Sequence, residues 1–103
     1  MYLITITIKT DKLSKKQADL LLEQHRKWFK EQFDLGNFLL VGPYNNKEMS
    51  GLVVAQAKNQ KELEEIIAKD AYYDGNLATY DVNEFTANLI SSKLMGYKGR
   101  QQL

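Results

Sequence analysis

The order of strand and helix signals predicts an α+β protein, a ferredoxin-like βαββαβ sandwich with two helices on one face of an antiparallel sheet. Three observations lead to this fold class. Isoleucines alternate along the first eight residues, two amphipathic stretches each begin with a helix-capping pattern, and two β-prone runs lie between those stretches. A further alternating run follows the second stretch and completes the order.

The N-terminal stretch YLITITIK predicts the first strand. Ile4, Ile6 and Ile8 share one side because successive side chains of a strand point to opposite faces. The start MYLITITI has no basic segment before its apolar residues, so we expect a strand here rather than a signal peptide.

The first helix is predicted to begin at about Lys15. Ser14 followed three residues later by Gln17 is a capping-box pattern, and Gly36 is well placed to end the helix in a left-handed turn. His25, the single histidine of the chain, falls on the apolar side of this helix. The apolar positions recur at three- and four-residue steps and are Ala18, Leu21, Leu22, Trp28, Phe29 and Phe33.

Two strands, a second helix and a fourth strand follow. NFLLVGPY and SGLVVAQA predict a hairpin, with Pro43 near a strand margin. Asn59 with Glu62 predicts the start of a helix that ends near Asp70, and ATYDVNEFTA predicts the last strand. The buried side of the second helix is predicted to be Leu63, Ile66 and Ile67.

The length of 103 residues predicts a single domain, residues 1–103. We expect its core within about residues 1–86 and a C-terminal tail over 87–103. The tail carries few structural signals, and both a short helix and an arm that contacts a partner remain open for it.

Composition excludes several classes of function. Fourteen basic residues against thirteen acidic ones give no charge excess for nucleic acid or anionic lipid. The absence of cysteine removes thiolate chemistry and fits a reducing, cytoplasmic location, and no apolar run approaches the roughly 20 residues of a membrane span. With one histidine and no glycine-rich phosphate loop, we expect no metal and no cofactor.

Two helices leave one face of the predicted sheet uncovered. Half of the apolar FLLV and LVVA runs would lie on that face, and exposing them to water is unfavourable by roughly 25 cal/mol per Å². We therefore expect a homodimer formed by sheet-to-sheet packing. An RNA-binding role for the same fold is disfavoured because SGLVVAQA offers neither aromatic nor basic side chains.

Several motifs, taken together, resemble the YciI-like family of small dimeric α+β barrel proteins over about residues 1–86. They are a histidine in the first helix, Gly-Pro after a hydrophobic strand, a glycine opening the next strand, and an Asp-Pro-Phe/Tyr motif after the second helix. The chain has alanine where that motif usually has proline. The matching positions, in the family's order, are His25, Gly42, Pro43, Gly51, Asp70 and Tyr72.

The resemblance implies an active-site dyad of His25 and Asp70. Related barrels include muconolactone isomerases and dehalogenating lyases, so the resemblance also implies a small organic molecule as ligand. We expect Gly42 and Pro43 to shape the rim of its pocket, between sheet and helices, and Tyr72 to contact it.

The residues alone leave the roles of His25 and Asp70 open. An aspartate at a helix C-terminus is unfavourable unless a donor compensates it, and His25 is a candidate donor. The alternatives are a packed structural histidine and an aspartate that merely begins a polar turn. A dyad of this kind moves protons but supplies no hydride, which favours an isomerase or a lyase. A non-catalytic dimeric module that binds a small ligand or stabilises a partner is the alternative, and a cofactor-free monooxygenase is a third reading.

Overall fold

The computed structural model describes residues 1–99 and confirms the α+β, ferredoxin-like fold. The four strands form one antiparallel sheet in the order β2-β3-β1-β4, so the first and third strands are central as expected. The elements are β1 (Tyr2–Ile8), α1 (Lys15–Asp34), β2 (Phe38–Pro43), β3 (Ser50–Ala55), α2 (Gln60–Ile67), β4 (Ala78–Glu84) and a 3-10 helix (Leu94–Tyr97).

Both helices begin at the predicted caps. The Ser14 hydroxyl accepts from the Gln17 backbone N–H, and the Gln17 side chain accepts from the Ser14 backbone N–H. At the other end of α1, Gly36 has φ 82°, a conformation that glycine adopts without steric cost. The second helix is shorter than predicted: α2 ends at Ile67, and a turn carries the chain on to Asp70.

The core lies between the helices and one face of the sheet. Ile4 and Val53, paired across β1 and β3, are fully buried there. The predicted apolar side of α1 is wrong at its C-terminal end, because Phe33 is 55% exposed while its neighbour Gln32 is buried. Gln32 is accommodated because its side-chain oxygen accepts a 2.8 Å hydrogen bond from the Asn37 amide.

The opposite face of the sheet carries a row of apolar side chains. Leu3 of β1 pairs with Val54 of β3, which pairs with Leu40 of β2. All three keep part of their surface exposed, since no element of residues 1–99 forms a second layer over this side.

The tail contains the short helix that the sequence left open, and its apolar residues are exposed. Residues 100–103 of the predicted tail lie outside the described residues. Within residues 1–99, no helix combines the length and the apolar character that crossing a membrane requires.

Gly51 is required by the close approach of β2 and β3. A Cβ atom at this position would lie 2.8 Å from the Gly42 carbonyl oxygen and 3.3 Å from the Pro43 Cα, and both are backbone atoms. We expect Gly51→Ala to lower the free energy of unfolding by about 1–3 kcal/mol, because the strands must separate to admit the methyl group. Urea denaturation measures the change.

Gly42→Ala is the matched control for this substitution. A Cβ at Gly42 meets no atom within 4 Å. Its stability should therefore stay within about 0.5 kcal/mol of the wild-type value. Equal losses for the two variants would show that general strand propensity, rather than the contact with Gly42, explains the effect.

Candidate active site

The centre of the site is a buried pair of side chains from two elements distant in sequence. The Nδ1 atom of His25, on the inward side of α1, lies 2.6 Å from the Oδ1 atom of Asp70. His25 is only 4% exposed and Asp70 only 3%. The structure therefore brings together the two residues that the sequence analysis paired.

Asp70 is held by the turn that follows α2. Its backbone N–H donates to the Ile67 carbonyl at 3.0 Å, and its carbonyl accepts from the Tyr73 N–H at 3.0 Å. These bonds orient the carboxylate toward α1. An ionised carboxylate only accepts hydrogen bonds, so Nδ1 of His25 is the donor in this pair.

Tyr80 is a third member of the site and was missed by the sequence analysis. Its hydroxyl donates a 2.7 Å hydrogen bond to Oδ2 of Asp70, so both carboxylate oxygens have a partner. The available signal was the alternation of β4: Tyr80 pairs with the buried Ile6 and therefore faces the helices. A tyrosine turned toward a core needs a polar partner for its hydroxyl.

Aromatic rings surround the imidazole of His25. The ring centroid of Trp28 lies 5.6 Å away in a stacked arrangement, and that of Phe29 lies 4.3 Å away, edge to face. Trp28 is itself anchored, since its indole N–H donates to the Ile66 carbonyl at 3.0 Å. The rings hold the imidazole in place and keep water from its faces.

Tyr72 packs on the remaining side of the imidazole, with ring centroids 4.9 Å apart. Its hydroxyl is the one side-chain polar atom of residues 1–99 that is sealed from solvent without a hydrogen-bond partner. Burial and the negative charge of Asp70 raise the pKa of Tyr72, against an opposing effect of Arg26. The group is therefore a neutral donor at physiological pH. Its neighbour Tyr73 diverges toward solvent, as adjacent residues at this turn must.

The structure does not bring Gly42 and Pro43 to the dyad. Pro43, Gly51, Ile6 and Tyr80 form one row across the sheet, with Pro43 on the edge opposite Tyr80. Three inter-strand spacings of about 4.8 Å separate the ends of this row by roughly 14 Å. A role for the Gly-Pro pair at a pocket rim stays a prediction.

Two open depressions lie on the surface of the described chain, and neither is lined by His25 or Asp70. The first, of about 310 Å³, borders the site from outside through Trp28 and Ala71. The second, of about 260 Å³, lies near the start of α2. The rings of Trp28, Phe29 and Tyr72 pack directly around the imidazole of His25, and the expected pocket between sheet and helices stays a prediction.

The geometry leaves one atom of the dyad without a role in the fold. Nδ1 of His25 is engaged by Asp70, while Nε2 has no hydrogen-bond partner among residues 1–99. An imidazole oriented by a carboxylate through one nitrogen can accept or donate a proton at the other. Across the described range, no three His, Cys, Asp or Glu side chains are grouped closely enough to hold a metal ion.

The phenol of Tyr80 provides a prediction on alkaline stability. Burial and the hydrogen bond to Asp70 raise its pKa above the usual value near 10. The folded protein therefore keeps the proton that the unfolded chain releases, and this contribution to stability is full below about pH 10 and is lost as pH rises further. We expect the free energy of unfolding contributed by this phenol to stay constant up to about pH 9 and to fall as the pH rises from about 10 to 11.

The variant Tyr80→Phe should show a smaller fall over the same range, measured by urea denaturation at each pH. Tyr97→Phe, at an exposed position, is the control and should behave as wild type. If Tyr80→Phe kept the full wild-type loss, the phenol would not be the group responsible.

The chain matches the family model of the YCII-related domain over residues 1–86. This range contains all four strands, both long helices and every residue of the site described above. No curated protein matches the chain significantly. The chain therefore belongs to the YCII-related family.

Proposed function

We propose that this member of the YCII-related family is a cofactor-independent acid–base enzyme of the isomerase or lyase type, acting on a small organic molecule. The observation that supports this most directly is the hydrogen-bonded series from Tyr80 through Asp70 to Nδ1 of His25. Such a series orients an imidazole and leaves its second nitrogen for chemistry. A buried histidine required only for packing does not need a carboxylate held at both oxygens.

In the proposed reaction, Nε2 of His25 removes a proton from a carbon beside a carbonyl group of the substrate. The electron pair of the broken C–H bond moves into the adjacent bond and forms an enolate. Return of the proton from Nε2 to a different carbon completes an isomerisation. In an elimination the enolate electron pair forms a carbon–carbon double bond while the leaving group departs with the electron pair of its own bond to carbon, and Nε2 then releases the proton to the leaving group or to water. Asp70 stabilises the imidazolium between the two steps.

Tyr80 acts in this proposal as a positioning residue. Its hydroxyl holds Oδ2 of Asp70, so that Oδ1 stays directed at Nδ1 of His25. Tyr72 lies beside the imidazole with a buried donor that has no partner in the described chain. A substrate oxygen that reached this hydroxyl would gain a hydrogen bond without competing with one inside the protein.

The proposal includes a homodimer formed through the open sheet face. The exposed apolar row across β1, β3 and β2 supports it, because a second sheet packed about 10 Å away would remove this row from water. We propose a cytoplasmic location from the absence of cysteine.

A non-catalytic binding or stabilising module is the second candidate. The depth of the dyad favours it: His25 is almost fully buried, and neither surface depression reaches it. In that case the pair would serve to join α1 to the turn after α2.

Solvent-exchange NMR separates the two candidates. The purified protein is incubated in D₂O with a panel of small lactones, keto acids and halogenated organic acids, and their C–H signals are followed. An acid–base enzyme exchanges the proton that it removes, so the signal of one carbon position should disappear in the presence of wild type and persist with His25→Gln. Identical spectra with both proteins across the panel, together with ligand binding by wild type, would favour the binding module.

A further inference from the structure

The C-terminal arm, residues 87–99, carries large apolar side chains that are half to almost fully exposed in the described chain. Leu89 is 95% exposed and Tyr97 is 85% exposed, and Ile90, Leu94 and Met95 are exposed as well. Exposed apolar residues that cluster in one segment mark an interaction site more often than a free surface. The family match ends at residue 86, so the arm is additional to the shared domain.

The root of the arm is firmly attached at one end of the sheet. The Phe85 N–H donates to the Met1 carbonyl at 2.9 Å, and the Met1 amino group donates to the Phe85 carbonyl at 3.2 Å. The arm therefore leaves from the end of β4, an edge strand. The longest dimension of the molecule is 43 Å. Helix α1, of 20 residues, accounts for only about 30 Å of that length.

A second exposed apolar surface lies at the same end of the sheet but on the opposite edge. We call it the receiving patch; it consists of Leu35, after α1, and of Leu39 and Leu40 on edge strand β2. Leu39 sits at an irregularity in the pairing of β2 with β3. An edge strand with exposed leucines is a surface that proteins normally cover.

The register shows that the arm root and the receiving patch lie at the same position along the strand direction. Phe38, Ala55, Tyr2 and Glu84 form one row across the sheet, from the start of β2 to the end of β4. Three inter-strand spacings put the two edges roughly 14 Å apart. To reach its own receiving patch, the arm would have to cross the full width of the open face.

Two-fold symmetry removes this difficulty. When two such sheets stack face to face about an axis parallel to their strands, the β4 edge of one lies over the β2 edge of the other, and the strand ends stay level. Each arm root then faces the partner's receiving patch across a gap of about 10 Å, which a few extended residues span. The contact occurs twice, as a closed dimer requires.

We propose that the C-terminal arm of each protomer docks on the receiving patch of a second copy of this chain. This inference rests on the proposed sheet-to-sheet dimer and extends its interface along the β2 edge, where Leu40 ends the apolar row of the open face. The arm adds two lysines, Lys93 and Lys98, and no acidic residue. The two arms thus join the protomers at both edges of the stacked sheets.

Cysteine cross-linking tests the proposal directly, because the chain contains no cysteine of its own. Leu89→Cys protein is mixed with isotope-labelled Leu39→Cys protein and oxidised gently. We expect a disulfide that joins one labelled and one unlabelled chain, in a yield well above that for Leu89→Cys mixed with Leu20→Cys. Leu20 is an exposed leucine on α1, outside the patch.

The double variant Leu89→Glu with Ile90→Glu should raise the dissociation constant of the dimer about tenfold or more in sedimentation experiments. Leu20→Glu is its control and should leave the constant unchanged. Two results would overturn the arm proposal alone. One is a dimer whose labelled and unlabelled chains cross-link no more than in the Leu20→Cys control. The other is a disulfide that forms within a single chain when Leu39→Cys and Leu89→Cys are combined in one protein. A wild-type protein that stays monomeric at tens of micromolar would overturn the dimer together with it, whereas the acid–base proposal is judged by the exchange experiment.

Discussion

His25→Gln is expected to lower the rates of proton exchange and turnover by a factor of about 10²–10⁴ or more, because no other group in the site can act as the acid–base group in its place. Glutamine is the informative substitution. Alanine would leave Oδ1 of the buried Asp70 carboxylate without a donor, although Tyr80 still donates to Oδ2, and breaking a buried pair in this way commonly costs about 3–5 kcal/mol of stability. The amide of glutamine can still donate to Asp70, so the chemistry is removed while the buried hydrogen bond is retained. The rate of deuterium incorporation measures the effect, and thermal unfolding checks the fold.

Two further variants distinguish a dyad from a lone imidazole. Asp70→Asn should lower the rate by about 10²–10⁴, because a neutral amide no longer stabilises the imidazolium. Tyr80→Phe should lower it much less, since the phenol acts only through Asp70. For Tyr80→Phe, a changed pH profile of the rate is the readout that a purely structural role would not produce. Full activity in Asp70→Asn would contradict the proposed mechanism.

The fold and the dyad were both accessible from the sequence, for different reasons. Strand alternation and helix caps are local, so Ser14 and Asn59 marked the helix starts correctly. The pairing of His25 with Asp70 joins residues 45 positions apart, and local patterns only suggested it through the unfavourable placement of an aspartate near a helix end. The family resemblance supplied the rest.

What the sequence analysis missed depends on tertiary placement. Tyr80 looked like any β-prone residue of its strand, and its hydroxyl became significant only once the sheet order put β4 beside Asp70. Gln32 and Phe33 exchanged their expected environments because Asn37, beyond the helix, offers Gln32 a buried partner. Periodicity within α1 contains no information about that partner.

Trp28→Ala is expected to lower the free energy of unfolding by about 3–5 kcal/mol. The indole is 3% exposed, packs against His25, Phe29 and Phe38, and donates to the Ile66 carbonyl. Its removal leaves a large cavity between α1 and the sheet and an unpartnered carbonyl. For a domain of this size, about 1 kcal/mol shifts Tm by roughly 4–8 °C, so a fall of more than about 12 °C is expected.

Trp28→Phe separates the contribution of ring packing to stability from that of the hydrogen bond to the Ile66 carbonyl. It keeps most of the packing and loses the hydrogen bond to Ile66, which predicts a cost of about 1–3 kcal/mol. Phe33→Ala, at an exposed position of the same helix, should change stability by no more than about 0.5 kcal/mol. Calorimetry on the three variants gives the comparison. A Phe33→Ala loss as large as that of Trp28→Ala would mean that α1 presents a different side to the sheet, and His25 would then no longer face Asp70.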